Sequence, residues 1–130
     1  MIVGTEFILE DFDSVWPSLA DRCARWVPEH SVLEARAACE EGRAVCLACS
    51  DGLAVVALEC RESGTMRANV LLAASIGLSG AFARQERSML DIAKDIGAAE
   101  IVFWTPRRGW GRLLGPEWRR DGEWFARSVG

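Results

Sequence analysis

Cys46-Leu-Ala-Cys49 is the first pattern in the chain with a reactive reading, since two thiols three residues apart serve redox couples and zinc sites. The stretch around it is apolar and extended in character, and on a strand residues three apart point to opposite faces, about 10 Å from each other. That lies beyond disulfide reach. A zinc site also wants a second pair at a matching spacing, and the remaining cysteines, Cys23, Cys39 and Cys60, supply none. The expectation is that Cys46 and Cys49 are buried structural thiols with no metal, and the five cysteines, an odd number without framework spacing, fit a reduced intracellular setting. His30 is the sole histidine, so any Cys–His or Ser–His nucleophile would need it as base. Lying between Pro28 and Ser31, it reads instead as a solvated loop residue. The acidic run Glu10-Asp-Phe-Asp13 suits the N-terminus of a helix, where carboxylates oppose the helix dipole.

Gly77-Leu-Ser-Gly80-Ala81 joins an apolar run to a helical pattern. Such a junction offers free backbone amides and a positive dipole end, which together could hold a pyrophosphate. Gly77, Ser79 and Gly80 are the candidate phosphate-binding residues, with Arg84 in the helix's first turn as the assisting cation. The C-terminal third mixes tryptophan and arginine (Trp110, Arg112, Trp118, Arg119, Arg120, Trp124), the combination used to bind single-stranded nucleic acid. Alternation places Trp118 and Arg120 on one face of a strand and Arg119 on the other. Nucleic acid is therefore not the expected partner.

The elements that would position these groups follow from periodicity and turn chemistry. Glu6 to Leu9 reads as a strand. Asp13 or Ser14 can cap a first helix, with Pro17 in its first turn and Leu19, Cys23 and Trp26 as its buried stripe. Ser31-Val-Leu-Glu34 has the form of a capping box, so a second helix is expected from Ser31 to about Gly42. Ala44–Cys49 and Leu53–Leu58 flank Ser50-Asp-Gly52, which predicts a hairpin with a type I′ turn, both strands apolar on both faces and central in a covered sheet. A third strand follows Arg61–Gly64, with Thr65, Arg67 and Asn69 on its wetter face. The longest helix comes after Gly80, with Phe82, Met89, Ala93 and Ile96 inward and Gly97 at C′. Glu100–Trp104 is a buried strand, parallel to the one before the helix by the right-handed crossover rule. A short helix over Trp110–Leu114 and a hairpin around Asp121-Gly122, in which Trp118 faces Phe125, complete the chain.

Composition bounds what this arrangement can be. Half of the 130 residues are hydrophobic and 26% are charged, which suits a single domain over residues 1–130 and is too apolar for a disordered chain. The net charge is −4, with 12 acids against 5 bases over residues 1–66 and a modest basic excess beyond. Neither a nucleic-acid coat nor a polybasic membrane anchor is indicated. No basic n-region precedes an apolar stretch, and the longest uncharged run, Ala68–Ala83, is too short and polar to span a bilayer, so neither secretion nor a membrane span is expected. There are six Trp and no Tyr.

The element order, together with Ala93-Lys-Asp-Ile-Gly-Ala-Ala-Glu-Ile-Val-Phe-Trp-Thr105 and Leu113-Leu-Gly115, resembles the GNAT (Gcn5-related N-acetyltransferase) fold. The topological likeness covers nearly the whole chain, and the motifs cover residues 65–130. Arg108-Gly-Trp-Gly-Arg-Leu-Leu-Gly115 followed by Arg120-Asp-Gly122 is similar to the small divergent members carried by tailed phages, some of which are internal virion proteins. The resemblance implies an α+β domain whose mixed central sheet of six to seven strands has helices on both faces. It also implies acetyl-CoA in a gap between two splayed central strands, its pyrophosphate on a loop of the form (Gln/Arg)-x-x-Gly-x-(Gly/Ala).

The chain departs from that pattern in two places. With Gly77 as the motif's first glycine, Ala74 stands where Gln or Arg belongs; with Gly80 instead, Phe82 takes the closing small position and would crowd the phosphates. The family's usual proton donor, a Tyr four residues before Gly115, is Gly111 here, and proton transfer contributes about 10²–10⁴-fold to such reactions. The third strand offers no carboxylate as base. What the resemblance implies for function is a GNAT-like domain with an eroded acetyl-CoA site, a structural or binding protein associated with a phage, inside the host cell or in the virion, with a protein partner. The alternatives are an active acetyl-CoA-dependent N-acetyltransferase using Ser79, Gly80 and Arg84, and single-stranded nucleic-acid binding.

Overall fold

Small and β-branched apolar residues dominate the middle of the chain, and they build the centre of one sheet. In the computed structural model, which describes residues 2–3, 7–23, 27–75, 81–105 and 114–130 (main chain alone at 2, 3 and 81–83), the order is β1 (Ile2–Val3), β2 (Phe7–Glu10), α1 (Phe12–Cys23), α2 (Glu29–Glu40), β3 (Ala44–Cys49), β4 (Gly52–Cys60), β5 (Met66–Ser75), α3 (Ala81–Asp95), β6 (Glu100–Trp104), β7 (Trp118–Asp121) and β8 (Trp124–Ser128). The eight strands lie in the order β1-β2-β3-β4-β5-β6-β8-β7. All neighbours are antiparallel except β5 and β6, which are parallel. The protein is thus α+β with a mixed sheet; the strand beyond the expected six or seven is the two-residue β1.

Successive strand residues face opposite sides, and β4 shows the consequence. Leu53, Val55 and Ala57 join a core with Phe12, Trp16 and Leu19 of α1 and Ala35 and Ala38 of α2. Ala54 and Val56 join a second core with Met89, Ile92 and Ala93 of α3. Both faces are covered, which is why the run from Gly52 to Ala57 is apolar throughout and buried throughout. Each large side chain in it contributes about 1.5–3 kcal/mol of burial free energy.

A bulge then changes the facing of β5. Val56 pairs with Val70 and Val55 with Leu72, so Leu71 is an extra residue. Ala68 and Val70 pack on the α3 side, whereas Leu72 and Ala74 pack on the α1/α2 side. Bulges bend and twist a strand, and this one falls just after Val70, the last β5 residue paired with β6.

Several expected details differ. Helix α1 begins at Phe12, not after the expected Asp13 or Ser14 cap, because the Phe12 ring is buried and stacks on Trp16 at 6.1 Å; Pro17 consequently sits beyond the first turn. Leu19 and Cys23 are buried as expected, and Trp26 lies outside the described residues. Helix α2 starts at Glu29 behind Pro28 and has no side-chain cap. Ser31 is 8% exposed inside the helix, so the capping box does not form: the fixed φ of Pro28 and burial of the Ser31 face set the start instead. His30 is accordingly a helical residue, not a loop residue. The β3–β4 turn is not type I′, since neither Asp51 nor Gly52 has a positive φ. Gly52 is required for another reason: a Cβ there would collide with the Ala74 carbonyl oxygen of β5.

Gly97 does take the left-handed C′ position, at φ 82°, with Ala98 N donating to the Ala93 carbonyl. Ile96 is 42% exposed, not inward, because the helix has already ended at Asp95. In the last hairpin Asp121 pairs with Trp124 and Trp118 with Arg127, so the loop is Gly122-Glu123 and Trp118 does not face Phe125. Gly122, at φ 62°, occupies the first loop position, which places the turn one residue later than expected.

Candidate functional site

The parallel β5–β6 seam is short. Its pairing runs from Arg67 with Glu100 to Val70 with Phe103 and goes no further. Strand β5 continues to Ser75, paired from Leu72 onward with β4 alone among the described residues, while Trp104 of β6 pairs with Trp124 of β8. The two strands therefore diverge at their C-terminal ends, and α3 begins beside that divergence. The His30 imidazole approaches the Trp104 indole at 5.5 Å, so the N-terminus of α2 touches the β6 side of the opening.

Helix α3 places Arg84 and Gln85 in its first turns. Both turn toward the tip of the β3–β4 hairpin. Arg84 Nη2 donates to Asp51 Oδ2 at 3.2 Å, and Gln85 Nε2 donates to Asp51 Oδ1 at 3.2 Å and to Ser75 Oγ at 3.3 Å. The Cys49 thiol donates to the same Asp51 Oδ1 at 3.2 Å. Burial pushes that thiol's pKa up, which keeps it protonated and able to donate. A carboxylate of this chain, with a side chain 19% exposed, thus sits at the first turn of α3. Its partners there are the side chains of Arg84 and Gln85.

Of the four residues singled out for phosphate binding, Arg84 is described and engages Asp51; Gly77, Ser79 and Gly80 lie outside the described residues, as do the Phe82 side chain, Gly111 and the helix expected over Trp110–Leu114 up to position 113. Asp51 and Gln85 were not legible as members of this cluster. They are 34 residues apart and meet only because the hairpin tip docks on the helix.

The polar face of β5 is also occupied. Arg67 Nε donates to Glu59 Oε1 at 2.9 Å and Asn69 Nδ2 to Glu59 Oε2 at 3.0 Å, while the Thr65 and Ser63 hydroxyls bond each other in the preceding turn. Glu59 of β4 is the carboxylate the third strand lacks, and both its oxygens are used. Cys46 and Cys49 do face opposite sides, one in each core. Burial pushes the Cys46 thiol up to about 12. Among the described residues no group of three His, Cys, Asp or Glu could hold a metal ion, and no helix is long and apolar enough to cross a membrane. No family model matches the chain, and no curated protein matches it.

Proposed function

We propose that this chain is a divergent GNAT-type domain whose acetyl-CoA site is closed, acting as a structural or binding protein of the phage-associated kind and not as an acetyltransferase. The observation that carries the reading is the Asp51 carboxylate on Arg84 and Gln85 at the start of α3. A pyrophosphate arriving there would meet a fixed negative charge and an arginine already neutralised, so both attraction and space are reduced. The α+β sheet, with a single parallel pair that diverges beside α3, is the setting in which such a cofactor would be sought. The absence of any tyrosine removes the usual donor to a leaving thiolate. A protein partner, such as a virion or assembly component, is the surface-directed role left to a domain of this kind.

The reading is tested by incubating the protein with acetyl-CoA and a panel of primary amines while following release of free CoA thiol. The expected result is no release above the protein-free rate. Turnover with any amine overturns it. One observation favours the second reading, an active N-acetyltransferase: from Leu71 to Ser75 the edge of β5 away from β4 has no strand partner among the described residues, and an amide-bearing pantetheine arm could pair there. On that reading Arg84→Ala weakens CoA binding; an unchanged affinity counts against it.

A further inference from the structure

Away from the β5–β6 opening, the sheet carries a second concavity, on the face opposite α3. Register defines its floor and walls. Val102 of β6 pairs with Ala126 of β8, and Ala126 pairs with Arg119 of β7, so two small apolar side chains and one arginine form a row across the sheet. One step along, Trp124 pairs with Asp121 and bounds the row on one side, its indole 43% exposed. On the other side lies Glu100, whose side chain is 12% exposed. Its Oε1 takes Arg61 Nη1 at 3.1 Å and its Oε2 takes Arg119 Nη2 at 2.9 Å. The concavity is an open groove of about 470 Å³, within the volume range of small-ligand sites.

Charge is distributed unevenly along this groove. Among the residues lining the groove, two guanidiniums share one carboxylate at the glutamate end, with Glu62 beside Arg61 outside the lining, and each guanidinium has five N–H donors of which the ion pair uses few. The nearby Arg67 is matched by Glu59 and adds nothing net. Asp121 lies at the opposite end, beside Trp124, and would repel an anion there. The groove is therefore directional: an apolar floor with an indole wall, an acid at one end and excess guanidinium at the other.

We propose that this groove is a binding site for a small ligand with an aromatic body and an anionic head. The body lies on Val102 and Ala126 against the Trp124 indole, and the head, a carboxylate or a phosphate, bridges Arg61 and Arg119. Asp121 sets the orientation by excluding the head from the tryptophan end. The site is independent of the α3 end of the sheet and does not rest on the fate of the acetyl-CoA site.

Titration of the ¹⁵N-labelled protein with phenylacetate, phenyl phosphate and benzylamine tests this, following the indole N–H signal of Trp124, identified by its loss in Trp124→Phe. At least one anion is expected to shift that signal saturably, the tighter of the two showing whether the head is a carboxylate or a phosphate, and benzylamine is expected to leave it in place. Arg119→Ala, at a side chain 70% exposed, should weaken the anion by at least about tenfold, the size of one lost charge-assisted contact. Ala126→Leu should abolish binding by filling the floor while leaving both arginines; circular dichroism confirms that each variant folds, and Arg119→Ala decides alone if Ala126→Leu does not. The proposal is overturned if neither anion gives a saturable shift, if benzylamine binds as well as the anions, or if folded Arg119→Ala binds with unchanged affinity.

Discussion

The two halves of the sheet, on either side of the β5–β6 seam, use their faces differently. From β3 to β5 the middle of the sheet is core on both faces: α1 and α2 cover one, α3 covers the other, and β4 holds six consecutive buried residues, Gly52 to Ala57. Across the seam, β6, β8 and β7 give α3 one face, through Ile101 and through Glu86, which accepts the Trp118 indole N–H at 2.7 Å and pairs with Arg127 at 3.3 Å. Their other face keeps Trp124 and Arg119 exposed over an apolar floor. The lesson is that stability and ligand chemistry are separated in space. A strand that spends both faces on packing has no side chain left to offer, whereas one covered once can display charge and an aromatic ring on the other side.

Substitutions should divide along the same line. Leu53→Ala, at a side chain 1% exposed in the doubly covered half, should cost about 2–5 kcal/mol in a urea melt. Arg119→Ala across the seam should stay within about 0.5 kcal/mol of wild type. Equal losses at the two sites would erase the distinction. An intermediate case is Glu86→Ala, which strands the Trp118 indole and Arg127 and should cost about 1–3 kcal/mol by thermal denaturation.

Thiol titration sharpens the contrast further. The Cys46 thiol is pushed by burial from an ordinary value near 9 up to about 12. The folded state keeps a proton that the unfolded chain loses between those values. Stability from this group is therefore complete below about pH 9 and declines as pH rises toward 12. The chain has no tyrosine and a single lysine, and Cys23, Cys39 and Cys49, also pushed up by burial, add to the same decline. Urea melts from pH 8 to 10.5 should show the decline, and it should be shallower in Cys46→Ala. At pH 8 an alkylating reagent should modify the exposed Cys60 first and buried Cys23 and Cys46 last.

A small effect is also expected at the α3 end. Asp51→Asn removes a partly exposed ion pair and should change stability by about 0–1 kcal/mol. It also removes the negative charge from Arg84, and a gain of acetyl-CoA affinity in this variant would support the proposal that Asp51 closes a cofactor site.

Periodicity made the central elements legible. The apolar runs of β3 and β4, the α3 stripe at Met89 and Ala93, the Gly97 terminus and the parallel β6 strand all follow from local pattern. Boundaries decided by tertiary burial were not legible. Ser31 satisfies a capping motif yet is buried inside α2, and Asp121-Gly122 permits two loop placements that pairing alone distinguishes. The candidate site was the least legible part. Arg84 could be placed on the first turn of α3, but its partner Asp51 is 33 residues away and reaches it through the docking of a hairpin tip. The groove had a readable signal that alternation along one strand alone did not expose: Arg119 and Trp124 share a face only when both strands of the last hairpin are considered together.

We propose that the Asp51 carboxylate occupies the anion position at the start of α3. Calorimetric titration of acetyl-CoA into the wild-type protein tests it most directly. No saturable heat is expected at cofactor concentrations up to the millimolar range. Tight, stoichiometric binding accompanied by acetyl transfer to an amine would contradict it.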